Sequence, residues 1–131
     1  MREILFRGKR IDNGEWVEGS LLTGDNGECE ICYGTPRVRI TYEVIPETVG
    51  QFTGLYDKNG KKIFEGDILG FSDRLTTVFW HAHLGCWDTN FLKFTNKENK
   101  RDDMSPLNWD YYSTVIGNIH DNPELLKGET E

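Results

Sequence analysis

The chain has 131 residues, of which 37% are hydrophobic and 12% aromatic, and its formal net charge is −7. This length suits one domain or two very small ones, and the large aromatic side chains supply enough apolar area for a core. No apolar run approaches the roughly 18 to 20 residues of a membrane helix, and the N-terminus lacks the apolar stretch of a signal peptide. We therefore expect a cytoplasmic protein. The acidic balance argues against a protein that binds duplex nucleic acid, which usually carries a basic face.

Turn signals divide the chain into short apolar segments. Asn-Gly dipeptides end at Gly14, Gly27 and Gly60. This dipeptide between apolar runs predicts a β-hairpin, because both residues tolerate positive φ. The sequence Glu65-Gly66-Asp67 breaks the chain again, and we expect an unusual φ at the glycine and an aspartate side chain that caps a turn amide. The predicted structural turn residues are Asn59, Gly60, Glu65, Gly66 and Asp67.

The segments between these turns have the alternation and the β-branched or aromatic content of strands. The clearest is 38–44, where Val38, Ile40, Tyr42 and Val44 alternate with polar residues and predict a half-buried strand. At the other end of the chain, Asn122 precedes Pro123 and Glu124, which is the pattern of a helix start. An apolar stretch begins at 4–6, and further strands are predicted at 16–22, 28–33, 68–71, 75–80, 86–94 and 113–119.

The predicted fold is mainly β. Short strands with frequent turns favour a small, strongly bent antiparallel barrel or a pair of packed sheets, completed by a short C-terminal helix. We interpret residues 1–131 as a single domain. It divides, if at all, into an N-terminal β-meander at 1–45 and a core at 48–126.

Two long motifs, QFTGLYDKNGKKIFEGDI at 51–68 and VIGNIHDNPELL at 115–126, carry a family resemblance. They are similar to the YopX-like phage and prophage proteins, the first almost residue for residue. The middle of the chain, from about 74 to 110, shares little with that family. The resemblance implies a phage- or prophage-encoded protein inside a bacterial host, and the family has no established biochemical activity.

Several residues that could carry chemistry have simpler explanations. Cys29 and Cys32 have zinc-knuckle spacing, and His81, His83 and Cys86 follow later in the chain. However, there is no second CxxC, and strand alternation puts the first two cysteines on opposite faces. We therefore expect reduced thiols, no bound metal and no cofactor. Either histidine could act as a general base, but no nucleophile motif with a matched partner accompanies them.

The aromatic residues are concentrated in the segment that shares least with the family. Those expected in the core are Trp80, Trp87, Phe91 and Phe94. The candidate partner surface consists of Trp109, Tyr111 and Tyr112, which have polar neighbours.

Three classes of function remain open at this point. The first is a non-enzymatic accessory protein that binds a protein partner and is also capable of self-association. The alternative is a nucleic-acid-associated β-barrel module, and the third is a hydrolytic enzyme that uses His81 or His83.

Overall fold

A computed structural model describes residues 4–35, 37–71, 74–94 and 113–126. These residues form ten β-strands and short 3-10 turns, with no α-helix among them. The chain forms two compact units, Met1–Phe52 and Thr53–Glu131. The mainly β prediction is therefore confirmed.

The first unit is built on one antiparallel sheet in the order β4-β3-β2-β1-β5. A 3-10 turn at Pro46–Thr48 precedes β5, and the end of β5 belongs to the second unit. Glycines at positive φ in the turns before β2 and β3 fit the Asn-Gly signals, with φ +74° at Gly14 and φ +87° at Gly27. The strands are β1 Phe6–Lys9, β2 Trp16–Thr23, β3 Cys29–Gly34, β4 Arg39–Val44 and β5 Gly50–Tyr56.

Strand β2 exchanges partners halfway along its length. Its first half, Trp16–Gly19, pairs with β1, whereas Ser20–Thr23 pairs with β3. The exchange falls at Gly19, where a Cβ atom would lie 2.4 Å from the carbonyl oxygen of Cys32. Only glycine fits this close approach of two backbones.

The sheet of the first unit curls until β4 returns to the end of β1. Arg10 and Val44 form an isolated antiparallel bridge, which we call the β1–β4 seam. Gly8 makes room for it, because a Cβ atom there would lie 2.9 Å from Cγ2 of Val44. Backbone hydrogen bonds on either side run from Ile11 to Glu43 (3.0 Å) and from Ile45 to Lys9 (2.8 Å). The described residues nevertheless form two antiparallel sheets and no closed barrel, so the barrel alternative is wrong.

The core of the first unit is small. Its buried cluster is Cys29, Ile31 and Val44, with Phe6, Val17, Leu21 and Val49 packed around it. The predicted half-buried strand at 38–44 is only partly correct, since Val38 is 65% and Ile40 39% exposed while Val44 is buried. The reason is that β4 is the outermost strand of this sheet and only its end, at the β1–β4 seam, reaches the core.

The second unit contains the end of β5, β6 and a four-stranded antiparallel sheet in the order β10-β7-β8-β9. Strand β6 pairs with β5, and the core cluster joins β6 to the sheet through Ile63, Leu69 and Val78. Burying each of these side chains contributes about 1.5–3 kcal/mol. The strands are β6 Lys62–Phe64, β7 Asp67–Phe71, β8 Arg74–His81, β9 Cys86–Phe94 and β10 Thr114–Asn118.

The expected C-terminal helix is wrong. Residues Pro123–Leu126 form a 3-10 turn. The Asn122 side chain, expected to cap a helix, instead accepts a hydrogen bond from the amide of Asn118 (3.1 Å) at the end of β10. Because the Asn122 side chain bonds to the strand, it is not available to cap the amides of a helix that would begin at Pro123.

No helix formed by the described residues has the length and apolar character needed to cross a membrane.

The substitution Gly60→Val should lower the free energy of unfolding by roughly 1–3 kcal/mol. Gly60 has φ +83°, and a Cβ atom there would meet nothing within 4 Å. The cost is therefore conformational strain and not a steric clash. Gly60→Asn is the matched control, because asparagine tolerates this conformation and should lose less stability. Urea denaturation measures both, and a Gly60→Val protein as stable as wild type would contradict the tight turn.

Candidate functional site

The buried Asp57 organises the first family-like motif and joins it to the second. Its Oδ1 accepts hydrogen bonds from the amides of Asn59 (2.8 Å) and Lys61 (2.9 Å), which closes the turn that contains Gly60. Its Oδ2 accepts a hydrogen bond from the amide of Val115 (2.9 Å) in β10. One carboxylate therefore connects the 51–68 motif with the 115–126 motif.

The electrostatics of Asp57 fit a structural role. Burial raises the pKa of this carboxyl, but hydrogen bonds from the amides of Val115, Lys61 and Asn59 outweigh it, so that the pKa lies below its ordinary value of 3.8. Backbone N–H groups favour the charged form of a carboxyl group. Asp57 is thus an ionised acceptor at neutral pH and not a proton donor.

A second connection between the two motifs occurs at Gly66. This glycine has φ +89°; its amide donates to the carbonyl oxygen of Val78 (3.0 Å), and its own carbonyl accepts from Ile119 (2.9 Å). The neighbouring Asp67 is 1% exposed, and its Oδ2 accepts a hydrogen bond from the amide of Phe64 (2.7 Å). These contacts give Gly66 and Asp67 structural roles at the turn, beside the half-buried Glu65.

The two histidines lie at the turn between β8 and β9. Nδ1 of His81 accepts a hydrogen bond from the amide of Leu84 (3.3 Å), and the backbone carbonyl of His81 accepts one from the amide of Gly85 (2.8 Å). The ring of His83 lies 6.3 Å from that of His81, centroid to centroid. Among the described residues neither histidine has a carboxylate or nucleophile as a hydrogen-bond partner. His81 therefore helps to form the turn.

The three cysteines are free thiols in different environments. Cys29 is buried in the core of the first unit, Cys32 is half-buried on β3, and Cys86 is exposed at the start of β9. Within 4–35, 37–71, 74–94 and 113–126, no group of three or more His, Cys, Asp or Glu side chains is placed to hold a metal ion.

The predicted partner surface of Trp109, Tyr111 and Tyr112 lies outside the described residues. A different aromatic surface is present on β8 and β9, formed by Trp80, Trp87 and Phe91, and we call it the β8–β9 aromatic surface. Trp80 is 45% and Phe91 52% exposed, so the expectation that they are core residues is wrong.

The strand register places the three rings on one face of the sheet. Trp80 pairs with Trp87, and the next pair on the same face joins Val78 to Thr89. Phe91 follows two residues after Thr89 and so projects to the same side. A bulge next to this position shifts the register between Leu75 and Thr76.

The β8–β9 aromatic surface is an extension of the core face. Trp87 packs against the cluster of Ile63, Leu69 and Val78, while the Trp80 and Trp87 rings meet edge to face with centroids 5.1 Å apart. Trp80 and Phe91 are less covered because the first lies next to the turn and the second lies on the outermost strand. Firmly held aromatic rings that remain exposed are typical of binding surfaces.

Comparison with known proteins agrees with the two motifs. The model of the family described as YopX protein matches residues 5–127, so the chain belongs to the YopX family. The crystal structure of protein EF1440 from Enterococcus faecalis is similar, with a TM-score of 0.60 and 25% sequence identity over 97% of this chain and 100% of that one. No curated protein matches the chain.

The substitution Asp57→Asn should cost about 1–3 kcal/mol of stability at neutral pH, because one buried acceptor becomes a donor that cannot satisfy all three amides. A lowered pKa in the folded state means that the carboxylate stabilises the fold above the unfolded-state pKa near 3.8 and loses this effect as the pH falls through the lower folded-state value. Unfolding of wild type should therefore respond more steeply to pH between about 5 and 2 than unfolding of Asp57→Asn. Parallel curves for the two proteins would contradict this role.

Protein purified without chelator should contain far less than one metal ion per chain by elemental analysis. Cys29 is buried, and its thiol points at a carbonyl, with Sγ 3.7 Å from the oxygen of Gly27. Cys32→Ser should leave the metal content unchanged. A stoichiometric metal that disappears in this variant would overturn the prediction.

Proposed function

We propose that this protein is a phage- or prophage-encoded accessory protein that acts in the host cytoplasm by binding a protein partner. The observation that carries the proposal is the β8–β9 aromatic surface. Membership of the YopX family supports the setting, and the exposed rings of Trp80 and Phe91 support the mode of action.

The chemistry of this surface suits a protein partner. Tryptophan and tyrosine are the most frequent anchors of protein interfaces, and a ring fixed before binding loses little conformational entropy. Trp80 is held by its edge-to-face contact with Trp87. The same surface is able to bind a second copy of the chain, which would account for self-association.

The proposal assigns the protein no turnover of its own. His81 is engaged by the amide of Leu84, and Asp67 by that of Phe64. Neither arrangement supplies the matched nucleophile and base that a hydrolytic step requires.

A second candidate is the binding of single-stranded nucleic acid, which one observation favours. The guanidinium carbon of Arg7 lies 4.6 Å and Nζ of Lys9 5.8 Å from the ring centroid of Trp16. Cations beside an aromatic ring are typical of grooves for single strands. However, Glu18 is the cross-strand partner of Arg7, and the net charge of −7 opposes phosphate, so this candidate stands second.

Removing either exposed ring should weaken partner binding without unfolding the protein. Tagged wild type would capture a partner from host lysate, and the captured protein would be purified for calorimetry. Trp80→Ser and Phe91→Ser should each weaken the affinity at least about tenfold, the usual effect of losing an interface anchor. Asn90→Ser is the matched control, because Asn90 is exposed on the same strand but pairs with Thr77 on the opposite face.

Equal affinity in both aromatic variants would contradict the proposal. A titration with a fluorescent oligothymidylate at physiological salt separates the second candidate. Sub-micromolar binding that is lost in Trp16→Ala would place nucleic-acid binding first.

A further inference from the structure

The first unit contains a cavity of about 520 Å³ that is lined by residues of β2, β3 and the start of β4. Ser20 and Leu22 line it and alternate along β2 with the core residue Leu21. Cys32, the cross-strand partner of Ser20, lies on the same side. A volume of this size is within the range of binding pockets, about 300–1,000 Å³.

Much of the cavity wall is apolar and exposed. Ile4 is 67%, Leu22 47% and Tyr33 39% exposed, and all three line the cavity. Tyr33 borders the cavity from the opposite face of β3, the face of Ile31, where its ring meets that of Tyr42 with centroids 6.1 Å apart. In a chain with only 37% hydrophobic residues, exposed apolar side chains grouped at one cavity are typical of an interaction site.

The cavity also has a positive group at its rim. Arg39 is the only charged side chain among the described residues that line it. It is exposed, and within that part of the chain it makes no ion pair. A guanidinium group binds carboxylates with two parallel hydrogen bonds. The cavity therefore complements an apolar group that carries a nearby carboxylate.

One edge of β2 beside the cavity has no strand partner among the described residues. Residues Ser20–Thr23 pair with β3 alone, and no strand among the described residues pairs with their other side. An open strand edge accepts an extended peptide through main-chain hydrogen bonds, while side-chain pockets give specificity. A small apolar carboxylic acid could occupy the cavity, but it has no main chain to pair with this strand edge. The edge therefore favours a peptide as the ligand.

We propose that the cavity and the edge of β2 together bind an extended acidic peptide segment of a partner protein. A large apolar side chain of the peptide packs against Ile4 and Leu22, and an Asp or Glu of the peptide pairs with Arg39. This site uses residues of the first unit only. A test of peptide binding here is therefore independent of any test of the β8–β9 aromatic surface.

A display library of random nonapeptides tests the chemistry without knowledge of the partner. Selection on wild type should enrich peptides with Asp or Glu close to a large apolar residue. Selection on Arg39→Glu should enrich Lys or Arg at the same position, because the charge of the site is reversed. An absence of enrichment, or the same sequences from both proteins, would overturn the proposal.

A synthetic peptide from the wild-type selection then locates the site. Its affinity, measured by fluorescence polarisation, should fall at least about tenfold in Arg39→Glu and in Leu22→Ser. Arg37→Glu is the matched control, since Arg37 is an exposed arginine of the same turn region that does not line the cavity, and should change the affinity less than about threefold.

Cys32 provides a second readout of the same site. In a Cys86→Ser background, the bound peptide should slow alkylation of Cys32 by iodoacetamide and protect the amides of Ser20–Thr23 from hydrogen exchange. Unchanged alkylation and exchange at a saturating peptide concentration would place the peptide elsewhere and overturn the proposal.

Discussion

The arrangement of the second unit depends on a single carboxylate that serves two parts of the chain. Asp57 closes its own turn through Oδ1 and holds β10 through Oδ2, with Val115 lying 58 residues further along the sequence. Because the group is only 3% exposed, each lost hydrogen bond would leave a buried carboxylate oxygen with one donor fewer, which costs about 1–3 kcal/mol. The strand pairing of β7 with β10 and the hydrogen bond from Ile119 to Gly66 connect the same two motifs. The two motifs at 51–68 and 115–126 therefore meet around Asp57 and Gly66.

The two motifs and the candidate binding surfaces are formed by different segments of the chain. The 51–68 and 115–126 motifs supply turns, buried carboxylates and strand contacts. The β8–β9 aromatic surface lies instead on 80–91, between the two motifs, and the cavity of the first unit also lies outside them. The two motifs thus contribute mainly to the scaffold, whereas the surfaces proposed to bind a partner are formed by other segments of the chain.

Local signals in the sequence predict the strands and turns well. The Asn-Gly dipeptides mark positive-φ glycines at Gly14, Gly27 and Gly60, and the predicted strand 86–94 coincides with β9. Properties that depend on distant residues were not predictable. An Asp two residues before Asn-Gly predicts an Asx turn, but nothing local points to Val115. Exposure of Trp80 and Phe91 depends on sheet order, and the lost C-terminal helix depends on Asn122 turning back to β10.

The β1–β4 seam determines where local unfolding of the first unit is expected to begin. It consists of one bridge with its two backbone hydrogen bonds, the Val44 side chain in the space that Gly8 leaves, and the Arg10 guanidinium carbon 3.8 Å from the Tyr42 ring centroid. Parting it costs roughly 3–7 kcal/mol, from the re-exposure of one valine, the loss of those two bonds and the loss of the cation–π contact. This range reaches only the lower part of the 5–15 kcal/mol typical of global unfolding. We therefore expect the curled sheet to open along this line while the ladder of β2 and β3 stays intact, so that the amides of Ile11 and Ile45 exchange through a partial opening.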